Sequence, residues 1–209
     1  MKLTEIIKIK GDWQEVVDDS RFTVGKPSLG HEPSRKWKRE ILISEHSPIR
    51  DLIFKWDWTS IKTWVATHWV RHKWECFVRT QRTDRTGIKR DPLPQGAPVD
   101  FRGEANAQNL IDTWRKRLCG QASEETREKA EDFKITLHEI EPEVADVLVP
   151  NCIYRFGCPE KNSCNTWRDF RRYCLEREVV VGNLTIQQRY DLYNEWFYET
   201  RGIKHGEQS

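Results

Sequence analysis

Apolar and polar positions alternate most cleanly where Leu52, Phe54, Trp56 and Trp58 are interleaved with Lys55, Asp57 and Thr59. A period of two predicts a β-strand with one face against a core. The period then changes: Ile61, Trp64, Val65, His68, Trp69 and His72 recur at three and four, which predicts a helix, and Ser60 offers its hydroxyl as N-cap. Arg71, His72 and Lys73 end that helix on this reading, and Arg79, Arg82 and Arg85 follow within one loop's reach. The tryptophans form a dry wall beside the charges, so the stretch predicts an anion site. The same cations also fit solvated side chains that complement a helix C-terminus.

The rest of the chain carries simpler patterns. Residues 3–9 predict a strand, and Asp12 with Glu15 predicts a capping-box start for a short helix through Val16 and Val17. Residues 24–40 read as a loop whose run Arg35 to Arg39 is solvated around Trp37 or holds a phosphate. Residues 87–103 hold three prolines and three glycines and predict a long loop over a site or an interface. Ala107, Leu110, Ile111, Trp114 and Leu118 predict a core helix. Ser123 caps the next, with Ala130, Phe133, Leu137 and Ile140 as its stripe. Asn165 is the candidate cap of a helix that presents Trp167, Phe170, Tyr173 and Cys174 on one face and ends at Leu175 to Arg177. Thr185 and Gln188 form a capping box for a last helix lined by Ile186, Tyr190, Tyr193 and Phe197 and closed by Gly202. Two clear strands, five clear helices and no Gly-rich dinucleotide fingerprint give an α/β class in the broad, α+β sense.

Composition narrows the function classes. A chain of 209 residues fits one domain, residues 1–209, with a sizeable core to which ten tryptophans contribute. No apolar run approaches the roughly 18 residues of a membrane span, and the N-terminus lacks a signal-peptide core, so no membrane partner and a cytoplasmic location are expected. A net charge of +2 is too small to predict nucleic-acid binding by bulk electrostatics. Cys152, Cys158, Cys164 and Cys174 lie within one stretch, separated by five, five and nine residues. Zinc sites pair cysteines more closely, so buried free thiols are expected and no metal. His68 and His72 lack a glutamate between them, unlike the helical zinc-protease motif.

The run Arg71-His72-Lys73-Trp74-Glu75-Cys76-Phe77-Val78-Arg79-Thr80-Gln81-Arg82 resembles the signature of the flavin-dependent thymidylate synthases, Arg-His-Arg, two residues, Ser, one, Asn, two, Ser, one, Arg. Lys73 replaces the second Arg, Cys76 the first Ser and Val78 the Asn, and the tail fits with one residue deleted. Glu45-His46-Ser47-Pro48 looks like the family's short motif one strand and one helix upstream. The resemblance covers residues 45 to 200 and marks the chain as a divergent member.

What the resemblance implies is specific. The fold would be a mixed, mainly antiparallel sheet packed with helices. The reaction would be reductive methylation of dUMP at carbon 5, with FAD as cofactor and NADPH and methylenetetrahydrofolate as co-substrates; such chemistry asks the protein for positioning and electrostatics. Ser47, Arg71, His72, Lys73 and Arg168 would hold the flavin. His68, Arg71, Arg79, Thr80, Gln81, Arg82 and Arg177 would hold the nucleotide, with Arg177 also activating the pyrimidine. Sites would form where subunits of a homotetramer meet. Asp146 stands where the family has a substrate-binding arginine, and the segment from Cys158 to Asn165 is longer than the family's. Two alternatives stay open: a same-fold flavoenzyme acting on another pyrimidine nucleotide such as dCMP, whose amine Asp146 could accept, and a non-catalytic module binding nucleic acid and zinc.

Overall fold

The alternation at residues 52–59 becomes the centre of a four-stranded antiparallel sheet in the computed structural model, which describes residues 4–203. The strands are Thr4–Lys10 (β1), Ile53–Lys62 (β2), Glu75–Val78 (β3) and Pro98–Asn106 (β4), in the order β1-β2-β4-β3. Leu3, the first residue of the expected 3–9 strand, lies outside the described residues. Phe54, Trp56 and Trp58 point to one face and are fully buried. The other face is a charged surface, where Arg102 grips Asp57 through two bonds of 2.7 and 2.6 Å and Glu104 meets Lys10 and Lys55.

Three helices cover the apolar face: Thr63–Trp69 (α3), Ala107–Arg117 (α5) and Glu124–His138 (α6). Between them Trp56, Trp58, Trp69, Trp74, Trp114 and Phe133 meet edge-on or tilted, except for the stacked pair Trp69 and Trp74, with Trp114 and Phe133 centroids 4.4 Å apart and Trp56 and Phe133 5.0 Å apart. Ring pairs of this geometry add to the burial energy itself. Gly103 on β4 makes room for them: a Cβ there would fall 2.3 Å from the Trp56 ring.

Five sequence expectations are corrected. Ser60 is not a helix cap but a strand residue at a bulge, with φ of 51°, its N–H donating to Asp100 Oδ1 at 3.0 Å. α3 begins later because Thr63 and Trp64 find acceptors in the Ala97 and Gln95 carbonyls. Residues 24–40 are not all loop: Ser34 Oγ accepts the Trp37 N–H and starts a helix, Arg35–Ser44 (α2), which buries Lys38, Ile41 and Leu42. The lysine stem lies along apolar surface and its ammonium sits 5.0 Å from the Trp13 ring, so a polar letter hid a core position. Residues 98–103 belong to β4, and residues 75–78, read as part of a basic loop, form the edge strand β3. Ile140, placed on the stripe of α6, lies past its end and is exposed.

Most of the remaining helices form a second group. Asp12 Oδ1 caps Trp13–Phe22 (α1) through the Glu15 N–H. The short Thr83–Thr86 (α4), Pro142–Asp146 (α7) and Asn151–Tyr154 (α8) precede Thr166–Glu176 (α9) and Ile186–Glu199 (α10), whose Thr185–Gln188 capping box is complete. Phe170 of α9 packs 5.9 Å from Trp196 of α10. Fully buried Lys134 ties α6 to this group, donating to Ala145 O at 2.6 Å and Asn194 Oδ1 at 2.8 Å, and burial pushes its ammonium down to about 7.

Candidate active site

α3 delivers its last turn to the rim of the aromatic core, and the chain then turns sharply because Trp74 folds back to donate its indole N–H to Trp69 O at 3.0 Å. The two indoles stack at 5.9 Å. His72 is held half-buried between them and Arg117 of α5, whose Nε donates to His72 Nε2 at 2.8 Å while its Nη2 donates to His68 O at 2.7 Å. An imidazole nitrogen that accepts from a guanidinium carries no proton, so His72 is neutral with its hydrogen on Nδ1. Burial, with Arg117 and Lys116, lowers its pKa to about 4. His68 bonds Thr126 Oγ1 through Nδ1 at 2.9 Å, and burial followed by Arg117 and Arg71 lowers it as well. Arg71 and Lys73 are exposed on either side of His72, and among the described residues neither has a carboxylate partner. Asn109 fixes the turn by donating to Lys73 O at 2.7 Å.

Beyond β3 the chain borders an open cavity of about 580 Å3 lined by Arg79, Thr80, Gln81, Arg85, Ser60 and Asp100, with Ile88, Leu93 and Val99 as apolar wall. Asp100 organises it. Its carboxylate takes the Ser60 N–H and the Arg79 guanidinium at 2.9 Å, and these bonds, the backbone one first, lower its pKa. Gln81 leans back to Thr63 Oγ1 at 3.3 Å. Arg82 turns out of the cavity into a two-bond pair with Asp84 at 3.0 and 2.7 Å.

Thus Arg79, Thr80 and Gln81 share one cavity, while His68, Arg71, His72 and Lys73 lie at the turn before β3, at that strand's other end. Ser47 and Arg168 lie apart: Ser47 opens a 3-10 turn beside His46 and Ser44, and Arg168 bonds Asp169 at 3.1 Å. Arg177 stacks 3.5 Å over the Tyr173 ring and donates to Glu199 Oε2 at 2.8 Å. Among the described residues no bond or ring contact joins these three to the α3 turn. Asp146 is buried, 3.8 Å from Arg39 Nη1 and 3.6 Å from His138 Nε2, so its charge is met inside the fold.

Sequence reading passed over Arg117 and Asp100. Arg117 had a signal: the run Arg115-Lys116-Arg117 closes a helix whose other face is core, three cations where only the dipole asks for one. Among the described residues no group of three or more His, Cys, Asp or Glu side chains is arranged to hold a metal ion. No helix among them is long and apolar enough to cross a membrane.

No family model and no curated protein matches the sequence. A solved structure does: the crystal structure of a UMP/dUMP methylase, PolB from Streptomyces cacaoi, bound with 5-Br dUMP, superposes with a TM-score of 0.56 at 14% identity, over 69% of this chain and 93% of that one. The two chains share a fold. It is the mixed α/β arrangement expected from the sequence, an antiparallel sheet packed with helices.

Proposed function

We propose that the protein methylates a pyrimidine nucleotide, dUMP, at carbon 5, with FAD as cofactor and NADPH and methylenetetrahydrofolate as co-substrates. The observation that carries this reading is the cavity beyond β3, beside the start of β4, with Arg79 and Arg85 in its wall and of small-ligand size, on a fold shared with a methylase crystallised with a dUMP analogue. Arg79 and Arg85 supply the charge-assisted donors a nucleotide phosphate needs, and the Gln81 amide offers both a donor and an acceptor to a pyrimidine edge.

The α3 turn fits a flavin diphosphate. Arg71 and Lys73 are cations without carboxylate partners, and neutral His72 adds a polar edge without repelling a second cation. Bound there, FAD supplies the hydride for the one-carbon unit. The residues around it hold the diphosphate, orient the ring system and keep one side dry with Trp69 and Trp74. Arg177 polarises the pyrimidine on this proposal, by exchanging Glu199 for the ring or by serving a neighbouring subunit's site. The wide spacing of Ser47, Arg168 and Arg177 within one chain supports sites assembled between subunits of a homotetramer. Asp146, the residue behind a cytosine-nucleotide alternative, is buried beside Arg39 and His138, so nothing here favours that substrate.

Calorimetric titration with dUMP and with deoxyuridine, which lacks the phosphate, tests the cavity. Arg79→Ala is expected to weaken dUMP by about 1.5–3 kcal/mol, roughly ten to a hundred and fifty fold, and to leave deoxyuridine unchanged. Equal loss for both ligands, or equal affinity of the wild type for both, would remove the phosphate assignment, and a colourless protein that never takes up FAD would remove the flavin.

A further inference from the structure

The cysteines divide differently in space than in sequence. Cys174 is buried within α9, away from the others. Cys119, just past the end of α5, meets Cys164, just before α9, and the sulfurs lie 4.0 Å apart. Both are partly exposed, and with Cys152 and Cys158 they line a small cavity of about 150 Å3 whose wall holds the three cations Arg115, Lys116 and Arg117 at the end of α5 against one carboxylate, Glu160.

The two thiols have unlike surroundings. Burial alone would raise Cys164, but the Thr166 hydroxyl at 3.2 Å, the Thr166 backbone N–H, Cys119 and the Gly120 backbone N–H outweigh it and hold it below the usual thiol range. Burial pushes Cys119 up to about 11. Gly120 makes the approach possible, since a Cβ there would lie 3.0 Å from Cys164 Cβ and 3.1 Å from its sulfur. The separation is a non-bonded contact, well beyond the roughly 2.05 Å of a disulfide, and side-chain rotation with a small shift of the 158–165 loop closes it.

We propose that Cys164 and Cys119 form a thiol–disulfide exchange site that accepts an anionic low-molecular-weight disulfide at the mouth of this cavity. The Cys164 thiolate attacks one sulfur of the disulfide, forms a mixed disulfide and expels one thiolate. Cys119 then gives up its proton and attacks Cys164 Sγ, forming the Cys119–Cys164 bond and expelling the second thiolate. Two protein thiols are oxidised by two electrons, and one external disulfide is reduced to two thiols. The bond would pin the end of α5, and with it Arg117 beside His72, to the start of α9. The site stands on its own geometry, independent of the nucleotide reading.

The test uses the whole wild-type chain with glutathione disulfide, followed by non-reducing peptide mapping by mass spectrometry. A Cys119–Cys164 cross-link is expected as the main product, and a substoichiometric alkylating reagent should label Cys164 at least about tenfold faster than Cys158. In Cys119→Ser the reaction should stall as a glutathione adduct on Cys164, and in Cys164→Ser neither product should form. Equal labelling of all exposed cysteines, or a main adduct on Cys158 or Cys76, overturns the proposal. So does one equivalent of zinc in the purified wild type that is lost in Cys119→Ser or Cys164→Ser, because the sulfurs would then be metal ligands. The wild-type cross-link decides the matter even if a variant fails to fold.

Discussion

His72 shows how one contact sets a residue's chemistry. Arg117 donates to its Nε2, so protonating His72 would place two cations face to face in a half-buried site. Its folded pKa, about 4, lies below the usual histidine value, so between those two points the unfolded chain binds a proton that the folded chain refuses. The stability this confers is fully present above about pH 6.5 and is lost as pH falls toward 4. We expect the difference in urea stability between wild type and His72→Gln to shrink across that window; a difference that stays flat with pH would mean that His72 is charged in the fold. The sequence made His72 legible as a site residue because it ends an aromatic helix amid cations. Its controlling partner was not legible, because Arg117 is 45 residues away and only the packing of α5 on α3 joins them. Cys119 and Cys164 share that difficulty, whereas Cys174 groups with Cys152, Cys158 and Cys164 only along the chain.

At the scale of elements, legibility followed the strength of local signals. β2, α5, α6, α9 and α10 each carry an uninterrupted period or a cap, and each appears where the pattern placed it, apart from the far ends of β2 and α6. α2 was masked by Lys38, a charged residue used for its stem. β4 was masked by Pro98 and Gly103, which read as loop letters. Pro98 is the first residue of its strand, where a missing N–H costs little, and Gly103 is there because Trp56 leaves no space for a side chain. Gly103→Ala is therefore expected to lower stability by about 1–3 kcal/mol through overpacking, read as a shift in the denaturation midpoint. A neutral result would show that the Trp56 ring can swing aside and that the aromatic cluster is less rigid than its contacts imply.

For the whole molecule, one group of exposed apolar side chains lies on β3 and at the cavity beyond it. Phe77 and Val78 are 59% and 40% exposed on the edge strand β3, and Ile88 and Leu93 follow in the loop that borders the cavity. An open edge carrying apolar side chains is covered in most stable proteins, and a second copy of the chain would cover it here. On the proposed homotetramer, light scattering should give a species of four chains, and Phe77→Glu should shift it toward smaller species and weaken dUMP turnover with it. A wild-type protein that stays monomeric at working concentration would contradict both the assembly and the shared site. The long loop at 87–103 and the resemblance pointed to an interface, but the edge strand that would form it was not legible, because β3 is four residues long and its pairing with β4 rests on the sheet order.

The Ser60 bulge changes the parity of β2. Up to Trp58 the even-numbered residues face the core, and strict alternation would next have turned Ser60 and Lys62 inward. Instead Trp58 faces Phe101 and Ile61 faces Val99, so three steps along β2 span two along β4 and the odd-numbered Ile61 is buried. The extra residue thus keeps a lysine out of the core, and its freed N–H is the one that holds Asp100 against Arg79 at the cavity. One inserted position both restores the hydrophobic phase and sets the orientation of the residue that organises the cavity.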